Sequence, residues 1–302
     1  AEDLVHTVPG VGCVVAEPQA KWRVAGLLAL MDKAKAPQIM EELSVLHNRF
    51  VEMRCDVDLR LVTLEESDDI DGMVAWAKRK DGVLMQGCVR SRLVHALTQA
   101  GVPVVTIGEP RDGPCPEGAS MVTVDEAAMM RLAVSHLASL GHRRIGCANG
   151  GASKYYDALS AGFWGAMAEM GPEMRPSELR LDGDRCDRGD DVVDWLENAA
   201  QPPTALIIEG GDSAQAALQR MAARGWPVPG RISVLAITST LTPPYAMKGM
   251  NAVFYPRTEM LARAVETLSR VLRSRVRATH VERMVARYVH GHTCRPVEAP
   301  PA

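Results

Sequence analysis

Short apolar runs alternate with amphipathic stretches along almost all of this chain, and that alternation restricts the fold more than any other feature. Arg23–Met31, Leu59–Leu64, Asp81–Gln86, Val102–Ile107, Arg144–Ala148, Thr204–Ile208 and Ile232–Ile237 read as strands. Between them, Pro37–Arg54, Asp69–Arg79, Ser91–Ala100, Asp125–Leu140, Ser160–Met170, Asp190–Ala199, Ser213–Arg224 and Thr258–Leu272 read as helices. Pro37 suits a first helical turn, and Asp69 and Asp71 sit where a helix dipole favours negative charge. In the last helix Leu261, Val265, Leu268 and Leu272 recur at helical spacing. Repeated β–α units with short apolar strands give an α/β fold of parallel sheets covered by helices on both faces. In such sheets a ligand site belongs at the carboxyl ends of the strands.

The 302 residues allow one large domain or two lobes, each lobe being about 150 residues. Only three Phe, five Tyr and five Trp are present, so sixteen Met and many Ala, Val and Leu must fill the core. A net charge of −3 gives the chain no overall basic pull on nucleic acid. Seven Cys, an odd number with no Cys-x-x-Cys pair, fit reduced thiols in a reducing compartment and hence a cytoplasmic location. The longest apolar stretch near the start, Val24–Met31, is far too short for a membrane span, and no signal sequence opens the chain. The first residue is Ala1, which reads as a fragment or a processed product.

Several segments, in order, resemble the sensor domain of the LacI/GalR repressor family. They are Asp81-Gly-Val-Leu-Met85, Val102-Pro-Val-Val-Thr-Ile107, Val122-Thr-Val-Asp125, Leu140-Gly-His-Arg-Arg-Ile145, Ala161-Gly-Phe163, Pro203-Thr-Ala-Leu-Ile207 and Gly225-Trp-Pro-Val-Pro-Gly-Arg-Ile-Ser-Val234. The resemblance implies a two-lobed periplasmic-binding-protein-like fold, each lobe a parallel sheet flanked by helices, with three crossovers and a ligand between the lobes. Mapped onto this chain, residues 23–296 form the effector-binding domain. One lobe takes 23–140 and 254–277, the other 141–250 and 279–296, and 297–302 are a tail.

Residues 1–22 break the rhythm and end in a linker-like Pro18-Gln19-Ala20-Lys21. The stretch Ala1–Val15 resembles the end of a GntR-type winged helix, in which a Pro-Gly-x-Gly turn joins two short wing strands. Asp3 stands where that pattern usually has Gly. A disordered leader, or a first β-hairpin of the domain itself, is the other reading.

The resemblance also implies a pocket, and here the chain departs from the family. Leu159 occupies the place of the usual clamping Arg, Thr238 that of the usual Asp, and Glu209-Gly210-Gly211-Asp212 that of an Asn-Asp pair. Candidate ligand-binding residues are Asp32, Lys33, Gln86, Glu109, Tyr155, Asp157, Arg185, Glu209, Asp212, Thr238 and Tyr255. Lys33 and Arg185 suit an acidic or phosphorylated ligand if they face the cleft; solvated surface cations are the alternative. A sensor that has lost its ligand is a further reading.

His290, His292 and Cys294 alternate, so a strand there would put potential metal ligands on one face. The family's final strand explains the segment better, and no metal or cofactor is expected. Asp182, Asp184, Asp187, Asp190 and Asp191 lack the spacing of a calcium loop and read as a solvated loop leading into a helix. Dinucleotide, Walker A, Gly-x-Ser-x-Gly and His-Glu-x-x-His motifs are absent, so an enzyme is not expected. The expected function is a small-molecule-sensing domain of a bacterial transcription regulator. It would bind a sugar, sugar acid or similar metabolite, act as a homodimer, reach operator DNA through a domain outside this chain, and have no membrane partner. A periplasmic solute-binding protein of a transport system is the alternative.

Overall fold

The computed structural model describes residues 5–8, 12–15, 23–30, 36–63, 65–87, 89–150, 154–180, 189–239, 249–274 and 279–297. Strands β1 (Val5–Val8) and β2 (Gly12–Val15) form an antiparallel hairpin that is a sheet of its own. The remaining strands fall into two six-stranded sheets.

The first sheet holds β3 (Arg23–Leu30), β4 (Asp56–Thr63), β5 (Gly82–Gly87), β6 (Val104–Ile107) and β7 (Ser120–Val124). With β13 (Val281–Met284) they lie in the order β13-β7-β6-β5-β3-β4, every neighbouring pair parallel. The second holds β8 (Arg144–Asn149), β9 (Arg175–Arg180), β10 (Ala205–Glu209), β11 (Ser233–Thr238), β12 (Asn251–Phe254) and β14 (Arg287–Val289). Their order is β14-β12-β11-β10-β8-β9, parallel except for the β12–β14 pair. Both sheets reverse direction once, between β3 and β5 and between β8 and β10, and each reversal opens a crevice at the carboxyl ends of those strands.

Alternation along each strand sends neighbouring residues to opposite faces. In the first sheet Val83, Met85 and Val104 pack under α2 (Ile70–Ala77) and α3 (Ser91–Gln99). Leu84, Val105 and Ile107 face the other way and join a cluster with Leu46 and Phe50 of α1 (Ala36–Glu52) and Leu261, Val265 and Leu268 of α8 (Arg257–Ser274). In the second sheet Ile145, Cys147, Ile207, Leu235 and Ile237 lie in that same cluster. Met129, Val134, Leu159 and Phe163 from α4 (Glu126–Ser139) and α5 (Lys154–Glu169) cover them. The opposite face, with Leu206, Ile208, Val234 and Ala236, is covered by Val192, Leu196, Ala214 and Met221 of α6 (Gly189–Asn198) and α7 (Gly211–Ala223). Full burial of each such Leu, Ile or Phe contributes roughly 1.5–3 kcal/mol. The expected α/β architecture of two helix-flanked parallel sheets is therefore present.

Local signals place several elements. Asp69 caps α2 by accepting from Gly72 N at 3.0 Å, and Asp125 caps α4 by accepting from Ala128 N at 2.8 Å. Gly162 lets α5 lie against α4, because a Cβ there would stand 2.9 Å from Ala127 Cα. At the amino ends of the second sheet the buried His142 ring gathers Thr204 Oγ1 at 2.9 Å, and Ser233 Oγ and the Arg295 carbonyl each at 3.1 Å.

The structure differs from the sequence reading in particulars. Residues 279–296 are expected in the second lobe, but β13 pairs with β7 in the first sheet and only β14 joins the second. Helix α4 is grouped with the first lobe by sequence, yet packs on α5 and the second sheet through Met129, Met130, Val134 and Leu137. Helix α5 begins at Lys154, earlier than the expected Ser160. Strand β9 escapes detection because its Arg175-Pro-Ser-Glu-Leu-Arg180 sequence is that of a half-exposed edge. No strand forms across His290, His292 and Cys294: β14 ends at Val289, and Asn251 Oδ1 instead accepts from Thr293 N at 2.8 Å and Cys294 N at 3.0 Å. The wing turn Pro9–Val11 and the acidic stretch 182–188 lie outside the described residues.

Candidate functional site

Because the strands run parallel, their carboxyl ends collect the polar residues that close each apolar run. In the second sheet, adjacent ends present Arg180 (β9), Asn149 (β8), Glu209 (β10), Thr238 (β11) and, just beyond β12, Tyr255. The backbone ties these ends together: Gly210 N donates to Ile237 O at 2.9 Å and Tyr255 N to Thr238 O at 3.0 Å. Gly210, at φ +88°, makes the sharp turn that starts α7 directly after Glu209, a backbone angle that glycine adopts without strain. In the first sheet the corresponding ends carry Gln86 (β5), Glu109 just past β6, and Asp125 just past β7.

The structure thus brings Glu209, Thr238 and Tyr255 to one row of strand ends, with Asp212 in the first turn of α7, and Gln86 and Glu109 to the other. Thr238 is buried, at 4% exposure. Asp157 lies in α5 and receives an ion pair from Arg180 Nη2 at 2.9 Å. Tyr155 falls in the first turn of α5, its side chain outside the described residues, as are Asp32, Lys33 and Arg185. Leu159 is fully buried in the core beneath the second sheet.

Two hydrogen-bond networks carry residues that were not candidates by sequence. In the first lobe Glu42 of α1 accepts from Gln86 Nε2 and, at 2.9 Å, from Arg257 Nε at the start of α8. In the second, Glu178 of β9 accepts from Asn149 Nδ2 at 3.0 Å, from Ser160 Oγ, and from Trp164 Nε1 at 2.8 Å, with Arg180 Nη1 3.8 Å away. The signals were present. Glu42 shares the helical stripe of Leu46 and Phe50, and Asn149 ends an otherwise apolar strand. Glu178 gave no comparable signal, since its strand was not recognised.

Glu126, at the first turn of α4, has its carboxyl pushed up to about 7 by burial, with Glu109 and Asp125 adding to the rise and Arg283 opposing it. Cys55, Cys115, Cys147 and Cys294 are free thiols. Burial raises all four, Cys294 to about 12.

The periplasmic binding protein-like domain model matches residues 134–294. The chain belongs to the periplasmic binding protein-like family. The match covers more than half of its length and includes most of the second sheet and its helices. Within this family the LacI/GalR resemblance is supported by sequence: the chain is similar to the HTH-type transcriptional repressor PurR of Aliivibrio salmonicida (strain LFI1238). The two are 27% identical over 156 residues, 51% of this chain and 45% of that protein. The chain spans about half the length of the curated relatives it matches. In fold, this periplasmic-binding-protein-like domain is similar to a putative LacI transcriptional regulator from Bacillus cereus subsp. cytotoxis NVH 391-98. Its TM-score is 0.78 at 20% identity, over 92% of this chain and 100% of that one. It is also similar to transcriptional regulator CelR in its cellobiose complex, with a TM-score of 0.75 at 21% identity, over 91% of this chain and 86% of that one. Among the described residues no helix is long and apolar enough to cross a membrane, and no three His, Cys, Asp or Glu side chains form a group able to hold a metal ion.

Proposed function

We propose that this domain is the small-molecule sensor of a transcription regulator, holding a polar metabolite between its two lobes and changing DNA affinity when the lobes close. The observation that carries the reading is the pair of parallel sheets, each with a direction reversal whose crevice lies at polar strand ends. Support comes from the regulators it is similar to in sequence, and from the cellobiose held by the CelR complex it is similar to in fold. The domain binds and does not transform its ligand; Gln86, Glu109, Glu209, Asp212, Thr238 and Tyr255 are the described residues proposed to meet it, with Asp32, Lys33, Tyr155, Asp157 and Arg185 as further candidates. The separate β1–β2 hairpin fits the wing of a GntR-type DNA-reading domain, since it pairs with neither large sheet. Lobe closure in a homodimer would alter the spacing of two such readers on operator DNA. Unpaired, protonated thiols suit the cytoplasm over the periplasm, and so favour a regulator over a transport protein.

A thermal-shift screen of the purified chain against sugars, sugar acids, sugar phosphates and nucleobases tests this. A ligand at about a hundred times its dissociation constant stabilises the fold by about 2.7 kcal/mol and raises the melting temperature by a few degrees. Silence across all four classes would overturn the sensor reading.

A further inference from the structure

Two buried amide oxygens have no donor. Gln86 Oε1 and Asn149 Oδ1 are shielded from solvent, and among the described residues nothing hydrogen-bonds to either. Gln86 is 4% exposed and Asn149 fully buried. Buried carbonyl oxygens in native proteins are nearly always paired, so each orphan calls for a specific cause.

The cause is shared, because the two sites are built alike. Each amide spends its NH2 group on a carboxylate, Gln86 on the buried Glu42 and Asn149 on the partly buried Glu178. A carboxylate only accepts, so the NH2 must face it and the carbonyl must face away. Both carboxylates are held by further donors, Arg257 on Glu42, and Ser160 and Trp164 on Glu178. The orientation of each carbonyl is therefore set by the hydrogen-bonded carboxylate behind it. Each also occupies a defined place in its sheet: Gln86 is on β5 and Asn149 on β8, strands that border the two reversal points, and both lie at the carboxyl end. One orphan acceptor thus stands beside each crevice.

We infer that the effector is a hydrogen-bond donor toward both lobes, offering N–H or O–H groups to Gln86 Oε1 and Asn149 Oδ1, and that it carries no negative charge. This rests on the cleft reading proposed above and narrows its ligand class. A carboxylate or phosphate would set its oxygens against two carbonyl oxygens with a carboxylate behind each. The arginines in these networks are already engaged, Arg257 with Glu42 and Arg180 with Asp157. Glu109 and Asp125, just past the ends of β6 and β7, add further carboxylates. Neutral polyols, amino sugars and nucleosides suit this arrangement; sugar acids and sugar phosphates do not.

The test is calorimetric titration of the chain with matched sets: glucose, glucosamine, glucuronate and glucose 6-phosphate, and adenosine with adenosine monophosphate. In at least one set the neutral or amine-bearing member should bind at least about tenfold tighter than its acid or phosphate, the worth of one hydrogen bond to a buried acceptor. Gln86→Met and Asn149→Leu, which keep side-chain volume but remove the acceptor, should each weaken that member by about tenfold while circular dichroism stays native. Equal or tighter binding of the anionic members would overturn the inference and leave the sensor reading standing. So would unchanged affinity in the two folded variants. If Asn149→Leu does not fold, Gln86→Met and the wild-type comparison decide. Absence of binding by every member would overturn this inference, and the cleft reading falls with it only where the thermal-shift screen is silent as well.

Discussion

Arg257 Nε donates to Glu42 Oε1 at 2.9 Å, across 215 positions of sequence. The bond joins the first helix of the first lobe to the helix that brings the chain back from the second sheet. Glu42 and Arg257 side chains are 10% and 20% exposed, so neither charge is well solvated. Arg257→Met should therefore destabilise the fold by about 3 kcal/mol in urea titration, because the Glu42 carboxylate is left buried with Gln86 as its remaining named partner. The double variant Glu42→Leu with Arg257→Met should recover part of that loss. A single variant as stable as wild type would show that the pair does not hold the crossover.

Glu126 makes stability depend on pH. Its carboxyl is raised in the folded protein to about 7 from 4.5, so the native state keeps a proton that the unfolded chain has lost. Stability from this group is present below the unfolded value and falls as pH rises through the folded one. Glu126→Gln should remove that fall, giving a variant more stable than wild type at pH 8 by chemical denaturation, with the advantage shrinking toward pH 5. An advantage that does not change with pH would refute the assignment.

His142 acts in the opposite direction. Burial holds its ring below the ordinary histidine value, against a smaller opposing effect of its bond to the Arg295 carbonyl. The unfolded chain then takes up a proton first, so stability present above about pH 6.5 is lost as pH falls through the folded value. His142→Ala should flatten this acid limb. It should also cost on the order of 1–3 kcal/mol at pH 8, since Thr204, Ser233 and Arg295 lose a shared partner.

The Cys147 and Cys294 thiols should be inert. Both are raised by burial, and Cys294 also donates to the Val234 carbonyl at 3.2 Å. Iodoacetamide at pH 8 followed by peptide mass mapping should leave both unmodified in the native chain and modify both in urea. Rapid native labelling of either would contradict the packing described.

Leu159 stands where the family resemblance implies a clamping arginine, and it is fully buried. Leu159→Ala should cost about 2–5 kcal/mol. Leu159→Arg should be worse and should not restore a sugar clamp, because the guanidinium would enter the core without a partner. A folded Leu159→Arg chain with increased sugar affinity would reverse this view.

The sequence by itself determined the layer architecture. Runs such as Gly82–Met85 and Ala205–Ile208 are apolar at every position or nearly so, and only a sheet covered on both faces accepts them. The ends of those runs marked Gln86, Glu209 and Thr238, because polar residues closing a buried strand stand out against it. The tertiary structure alone decided which sheet takes each late strand. Val281–Met284 and Arg287–Val289 are neighbours in sequence with similar half-exposed patterns, yet they join different sheets. Edge strands carry charge and Pro on their open sides, so Arg175–Arg180 shows no strand period to read. The pairing of Gln86 with Glu42 and of Asn149 with Glu178 was likewise beyond the sequence. Hydrogen bonding between residues tens of positions apart depends on which helix and which strand meet across the core, and local periodicity holds no record of that.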